Sequence, residues 1–434
     1  MSKKNFRLSE VISLIGGGTP KRSMKEYWNG DIPWLVVSDF NNDSRYVEKS
    51  NEKITQLGLD NSSTKLLKPG MLIISARGTV GKLAQLNSEM AFSQSCYGID
   101  AKTEFTNNDY LYYLLKVKIK ELQSLAHGSI FDTIIRSTFD NIFVDIPSHK
   151  EQEQVVSILS NLDKKIKNNE EQNKTLEQIA KTLFRSWFID FDPVRAKVEG
   201  RPTGLSKEIS DLFPDSFEDF ELGKIPKGWK FSTLHEVFDI EGGTQPPAKT
   251  FIDKEKEGYI RLLQIRDFNV DNHKTYVPIK KNLRIVDEDD VLIGRYGSGN
   301  GNFMEDSLGR PLRGLSGAIN VAIVRTIPKL ENSREYIANL VSSGLFYRWI
   351  VGGSSRAVQA GFKKDDLKLI NLPIPSSQVL SVYEEFGFLI WKKIKVLRQN
   401  NKILAELRDT LIPILISGEI KISDAESIVE EAGF

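Results

Sequence analysis

Apolar positions fall into step over two long stretches of the chain, Ser148 to Trp187 and Ser376 to Leu415. In the first, Val155, Leu159, Leu162, Ile166, Asn169, Asn173, Leu176, Ala180, Leu183 and Trp187 follow one another by alternate steps of four and three. That spacing keeps one seam turned toward a partner helix and predicts a coiled coil. Adding 228 to each number carries the seam onto Tyr383, Gly387, Ile390, Ile394, Leu397, Asn401, Leu404, Arg408, Leu411 and Leu415. Phe386 and Leu407 stand beside the two least apolar positions, Gly387 and Arg408. Asn173 and Asn401 occupy equivalent places, where a buried asparagine fixes coiled-coil register at some cost in stability.

The same offset reappears outside the helices. Ser38-Asp39-Phe40 matches Arg266-Asp267-Phe268, and Asp145-Ile146-Pro147 matches Pro373-Ile374-Pro375. Gly17-Gly18-Thr19-Pro20 answers Gly242-Gly243-Thr244-Gln245-Pro246 at 225, and Pro69 to Ile74 answers Asp289 to Gly294 at 220. The duplication therefore includes globular parts. In each half short β-like runs such as Pro33–Val37, Met71–Ser75, Tyr259–Ile265, Val291–Gly294 and Ala318–Val324 are punctuated by glycine, and helical stretches follow at Asn108–Leu125 and Arg334–Ile350.

These patterns predict two α+β domains, at 1–147 and 227–375, each followed by a long helix at 148–188 and 376–416. A linker rich in glycine, proline and charge covers 189–226, its aromatics suggesting a segment pinned to a surface. The second helix is expected to stop near Pro413, and 417–434 to be an acidic, solvated tail. Proline closes each domain before Ser148 and Ser376. Ser148 with Glu151 has capping-box spacing, whereas Ser376 with Val379 does not.

At 434 residues the chain exceeds one core. Its 59 basic and 58 acidic side chains give a net charge of +1, so no global field announces a nucleic-acid partner. The single cysteine, Cys96, excludes a disulfide framework and a cysteine-rich zinc site and fits a reducing cytoplasm. No apolar run suits a signal peptide or a membrane span. No Walker loop, zinc spacing or serine elbow is present. The Gly297–Gly301 run misses the dinucleotide fingerprint, Pro214-Asp215 lacks a correctly spaced Glu-x-Lys, and His127, His149, His235 and His273 are scattered.

What remains is loop chemistry suited to base edges, where arginine pairs with guanine and asparagine or glutamine with adenine. The first half offers Ser38, Asn41, Arg45, Arg77, Thr79, Lys82 and Gln94. The second offers Arg266, Asn269, Arg295, Tyr296, Arg310, Arg313, Arg356 and Gln359. Lys164, Lys165, Lys392 and Lys393 read as a solvated helix face.

The order of domain, helix, linker, domain, helix resembles the specificity subunit of type I restriction-modification systems. Its most specific stretches are Ser186 to Lys197 after the first helix, and Phe213–Phe217 with Leu222–Trp229 before the second domain. The resemblance implies two target-recognition domains in a tandem pseudo-twofold repeat, separated by two long helices in an antiparallel coiled coil. Each would read one half of a gapped double-stranded DNA site. Two methyltransferase subunits and restriction motor-nuclease subunits would be partners, with S-adenosylmethionine, ATP and magnesium belonging to them and no catalytic residue or cofactor in this chain. A forty-residue helix is about 60 Å long and one DNA turn about 34 Å, so the helices could act as a ruler. From residues alone, a coiled-coil scaffold binding proteins, or an enzyme with an unfamiliar site, stays open.

Overall fold

A computed structural model describes residues 4–41, 44–126, 133–220, 223–268, 274–297, 306–353 and 360–434. The principal helices are α1 (Asn108–Ala126), α2 (His149–Phe188), α3 (Asp192–Val198), α4 (Arg334–Ser342), α5 (Leu345–Gly353), α6 (Ser377–Ser417) and α7 (Ile422–Glu431). The chain forms two compact units, Met1–Asn169 with Gln399–Phe434 and Glu170–Arg398. Their limits lie inside α2 and α6 rather than at the prolines, so each long helix gives one half to each unit.

In the first unit, Lys4–Arg7 pairs antiparallel with Phe143–Ile146. One sheet runs in the order Ile12–Gly16, Cys96–Ala101, Leu72–Ser75, Leu83–Leu86, Tyr46–Val47. The other runs Glu52–Ile54, Trp28–Leu35, Met90–Phe92, Leu66–Leu67. Leu72, Ile73 and Ile74 are completely buried because alternate side chains enter different cores. Leu72 and Ile74 join α1 and the long helices, while Ile73 joins Leu35, Leu67 and Phe92. A strand covered on both faces shows an unbroken apolar run instead of alternation.

The second unit repeats this order. Phe238–Gly242, Ile323–Pro328, Leu292–Gly294 and Pro311–Leu312 form one sheet. Tyr276–Pro278, Tyr259–Leu263, Gly317–Ile319 and Ile285–Val286 form the other, and Lys230–Thr233 pairs with Asn371–Ile374. Here Ile293 faces the helix-side core and Leu292 the opposite one. Gly294 opposes Ile323 as Ser75 opposes Cys96. The strands therefore correspond at an offset of 219, one less than sequence matching suggests; a one-residue slip exchanges the two faces of a strand. Gly17 corresponds to Gly243, an offset of 226 where sequence matching gave 225, since a Cβ at either would strike the Ser93 or the Ile319 carbonyl.

Ser148 caps α2, its hydroxyl accepting from Glu151 N–H at 3.4 Å while the Glu151 carboxylate accepts from Ser148 N–H at 3.1 Å. In the first unit the early turns of α2 (Val155, Leu159, Leu162) share a core with the late turns of α6 (Leu404, Leu411, Leu415). In the second, Trp187 and Phe188 at the end of α2 meet Tyr383 near the start of α6, with centroids 5.8 and 4.8 Å apart. Both pairings are antiparallel. Pro413 lies inside α6, which continues to Ser417.

The acidic tail is solvated on one face only and folded on the other. After Gly418 it turns into α7, whose Ala425 is completely buried and whose Ile422 and Val429, with Phe434 beyond, pack on the first core. Apolar residues three and four apart give α7 one buried face, and its carboxylates occupy the other. The described residues of the 189–226 segment are likewise folded. Phe191 adopts a left-handed conformation (φ 54°) before Pro193 opens α3, and Phe213 packs on Trp187 with centroids 5.0 Å apart. None of the described helices is long and apolar enough to cross a membrane.

Candidate nucleic-acid interface

In the first unit hydrogen bonds tie four segments together. Ala76 and Arg77 N–H both donate to the Ser95 carbonyl (2.8 and 3.2 Å), and Ile134 N–H donates to Ala76 (3.0 Å). Lys82 Nζ donates to the Val37 carbonyl at 2.9 Å. Ser75 Oγ closes the loop between, donating to Thr79 and accepting from Lys82 N–H. On this frame Ser38, Arg77, Thr79 and Gln94 are exposed, and exposed Asn41 accepts from Ser44 N–H at 3.1 Å. Lys82 is half-buried and its ammonium serves the frame.

Arg45 belongs to the core instead. It is 4% exposed. Its Nε donates to Gln85 at 2.8 Å, Nη1 to the Tyr113 hydroxyl at 2.9 Å and Nη2 to Asp109. Tyr113 donates onward to Asp163 of α2 at 2.6 Å, and Asp163 accepts from Arg408 of α6 at 2.9 Å. Burial pulls the Arg45 guanidinium down most, but Tyr113, Tyr46, Asp109 and Asp163 leave it above the ordinary arginine value. Burial, followed by Asp163, pushes the Tyr113 hydroxyl far above the usual tyrosine range, so it keeps its proton to donate. A guanidinium so enclosed cannot meet a base edge.

In the second unit Tyr296 is exposed at the position corresponding to Arg77, in the short strand that pairs with Ala360–Gly361. Arg295, half-buried, donates from Nε to the Phe362 carbonyl at 3.3 Å. Arg266 is exposed and bonds Thr275 through Nη2. Arg310 is half-buried and lines a cavity of about 340 Å³ with Trp391 and Arg398. Arg313 is a further correction. Its guanidinium makes a two-pronged bond to Glu335 (2.8 and 2.7 Å), with the pair 12% and 3% exposed, and stacks 4.1 Å over Trp391. It joins the recognition domain to α6, together with Asp289, which accepts from Trp391 and Lys395 at 2.7 and 2.6 Å. Asn269, Arg356, Gln359, His127, His273, Glu221, Leu222 and most of the glycine run after Gly297 lie outside the described residues.

The asparagine register also differs from the repeat. Asn401 accepts from Asn169 Nδ2 at 2.8 Å and donates to the Ile166 carbonyl at 3.1 Å. Asn173 is half-buried and its Oδ1 has no partner among the described residues. Equivalent positions of an internal repeat meet in an antiparallel pair only at its midpoint; Asn401 meets the residue one turn earlier.

Arg136, which sequence reading did not single out, is exposed at the head of the short turn following Ile134, its side chain lying near Gly16. The 228 offset could have drawn attention to it, because it leads to Lys364, another cation, which pairs with Asp239. Among the described residues no three His, Cys, Asp or Glu side chains are grouped to hold a metal.

The family profile described as the type I restriction modification DNA specificity domain matches residues 2–178 and again 226–411. The chain belongs to this family. It is 25% identical over 428 residues to the type I restriction enzyme MjaIX specificity subunit of Methanocaldococcus jannaschii, covering 96% of this chain and 93% of that one. The HindI specificity subunit of Haemophilus influenzae is 24% identical over 448 residues, covering 88% and 92%. The crystal structure of the type I system S subunit from M. genitalium shares the fold, with a TM-score of 0.52, 15% identity and 96% of each chain covered. This specificity subunit recognises DNA sequence and is not an enzyme; catalysis in such systems belongs to other subunits.

Proposed function

We propose that this chain reads a gapped, two-part DNA target, one half-site per recognition domain, and docks two methyltransferase subunits, with motor-nuclease subunits joining for cleavage. The observation that carries the reading is the doubled family match, one copy in each half. S-adenosylmethionine, ATP and magnesium are assigned to the partners, and the complex to the cytoplasm. Exposed Ser38, Asn41, Arg77, Thr79 and Gln94 are the reading candidates of the first domain, and Arg266 and Tyr296 of the second. Base contacts would choose the sequence while phosphate contacts set affinity and its salt dependence. With a net charge of +1, much of the electrostatic grip falls to the partners.

The test is to co-express the chain with its methyltransferase and map methylated adenines across a genome. A two-part motif that disappears without this chain is expected. Methylation independent of the chain would overturn the reading. Replacing residues 1–147 by another member's domain should alter one half of the motif only; changes in both halves would refute the one-domain, one-half assignment.

A further inference from the structure

The buried hydrogen-bond chain in the first unit begins at a reading loop and ends on both long helices. Gln85 N–H donates to the Arg45 carbonyl at 2.8 Å, fixing the backbone four residues after Asn41. From the Arg45 side chain the path runs through the Tyr113 hydroxyl to Asp163 and Arg408, with links of 2.9, 2.6 and 2.9 Å. A second strut stands nearby, where Lys167 of α2 pairs with Glu48 at the surface. Arg45 and Arg408 are 4% and 6% exposed, so DNA reaches neither.

We infer that Arg45 and Tyr113 are positioning residues for sequence recognition, tying Ser44–Tyr46 to the helix pair, and through the bond from Ser44 N–H to the Asn41 side chain holding Asn41 to its base pair in a fixed pose. This rests on the proposal that the first domain reads one half-site. Apolar packing alone tolerates small slides of one surface over another. Charge-assisted hydrogen bonds are short and directional and do not. The Tyr113 hydroxyl both accepts from the loop's arginine and donates to α2, so it sets loop and helix against each other.

Tyr113→Phe tests this, because the ring stays in the core, Arg45 keeps Asp109 and Gln85, and Asp163 keeps Arg408. The variant and the wild-type chain are each assembled with the methyltransferase. Methylation is then measured on cognate DNA and on DNAs carrying one changed base pair in either half. The expected result is a loss of discrimination of about tenfold in the first half, comparable to one hydrogen bond's contribution, with the second half unchanged. Lys167→Ala, at an exposed strut that cannot threaten the core, should give a smaller loss in the same half. Equal loss in both halves would mean general destabilisation and overturn the inference, as would unchanged discrimination in both variants. A wild-type motif lacking a first half would instead overturn the proposed function.

Discussion

Replacing Glu335 by alanine separates a structural arginine from a reading one. Arg313 and Glu335 are 12% and 3% exposed and joined by two hydrogen bonds, at 2.8 and 2.7 Å. Breaking a buried pair by removing one partner costs about 3–5 kcal/mol, because the other charge is left uncompensated. Arg313 would retain the Asp289 carbonyl at 3.2 Å and the face of Trp391, which places the cost near the lower end, about 3 kcal/mol. At about 2–4 °C per kcal/mol for a unit of this size, the melting temperature of the second unit should fall by about 6–12 °C. Differential scanning calorimetry reads that shift. Methylation mapped well below the new midpoint should return the same motif, since Arg313 touches protein and not bases. An unchanged melting temperature together with an altered second half-site would refute the reasoning and return Arg313 to the DNA surface.

Arg77→Ala should weaken discrimination at one position of the first half-site by about 1–3 kcal/mol, read from methylation rates on singly substituted DNAs; uniform weakening with a shallower salt slope would mean a phosphate contact instead. Tyr296→Ala should affect only the second half-site in the same assay. Asn169→Leu combined with Asn401→Leu should raise the melting temperature, since two half-buried amides in the helix seam are replaced by apolar side chains; a lower midpoint would show the pair to be net stabilising. Gly17→Ala pushes a Cβ into the Ser93 carbonyl and should cost about 1–3 kcal/mol in a thermal melt, degrading the first half-site before the second.

The helical frame was legible because a seven-residue repeat leaves its mark whatever packs on it; both long helices start where capping was expected, although the second runs through Pro413 to Ser417. The pairing within that frame was not. A repeat shows which positions correspond, whereas an antiparallel seam brings together positions that do not, so Asn401 meets Asn169. The strand offset was missed by one because Leu72-Ile73-Ile74 is apolar on both faces and carries no alternation to set a register. Arg45, Arg77 and Arg313 look alike in polar loops; only enclosure by Gln85, Asp109 and Tyr113, or by Glu335 and Trp391, tells core from surface. The tail held a readable signal in Ile422, Ala425 and Val429, which its carboxylates obscured.

The two recognition domains share strand order yet are bolted to their helices by unrelated fittings, an Arg–Tyr–Asp–Arg chain in one and an Arg–Glu pair over Trp391 in the other. Genetic exchange must respect those fittings. A crossover just before Ser148 would bring a foreign loop and α1 to the resident Asp163 and Arg408, and a donor without an equivalent of Tyr113 would leave Asp163 to Arg408 alone and break the tie between loop and helix. Successful recombinants should therefore come from lineages that hold the quartet in common. New DNA specificities would then spread along lines drawn by compatibility at the helix, however freely the reading loops themselves diverge.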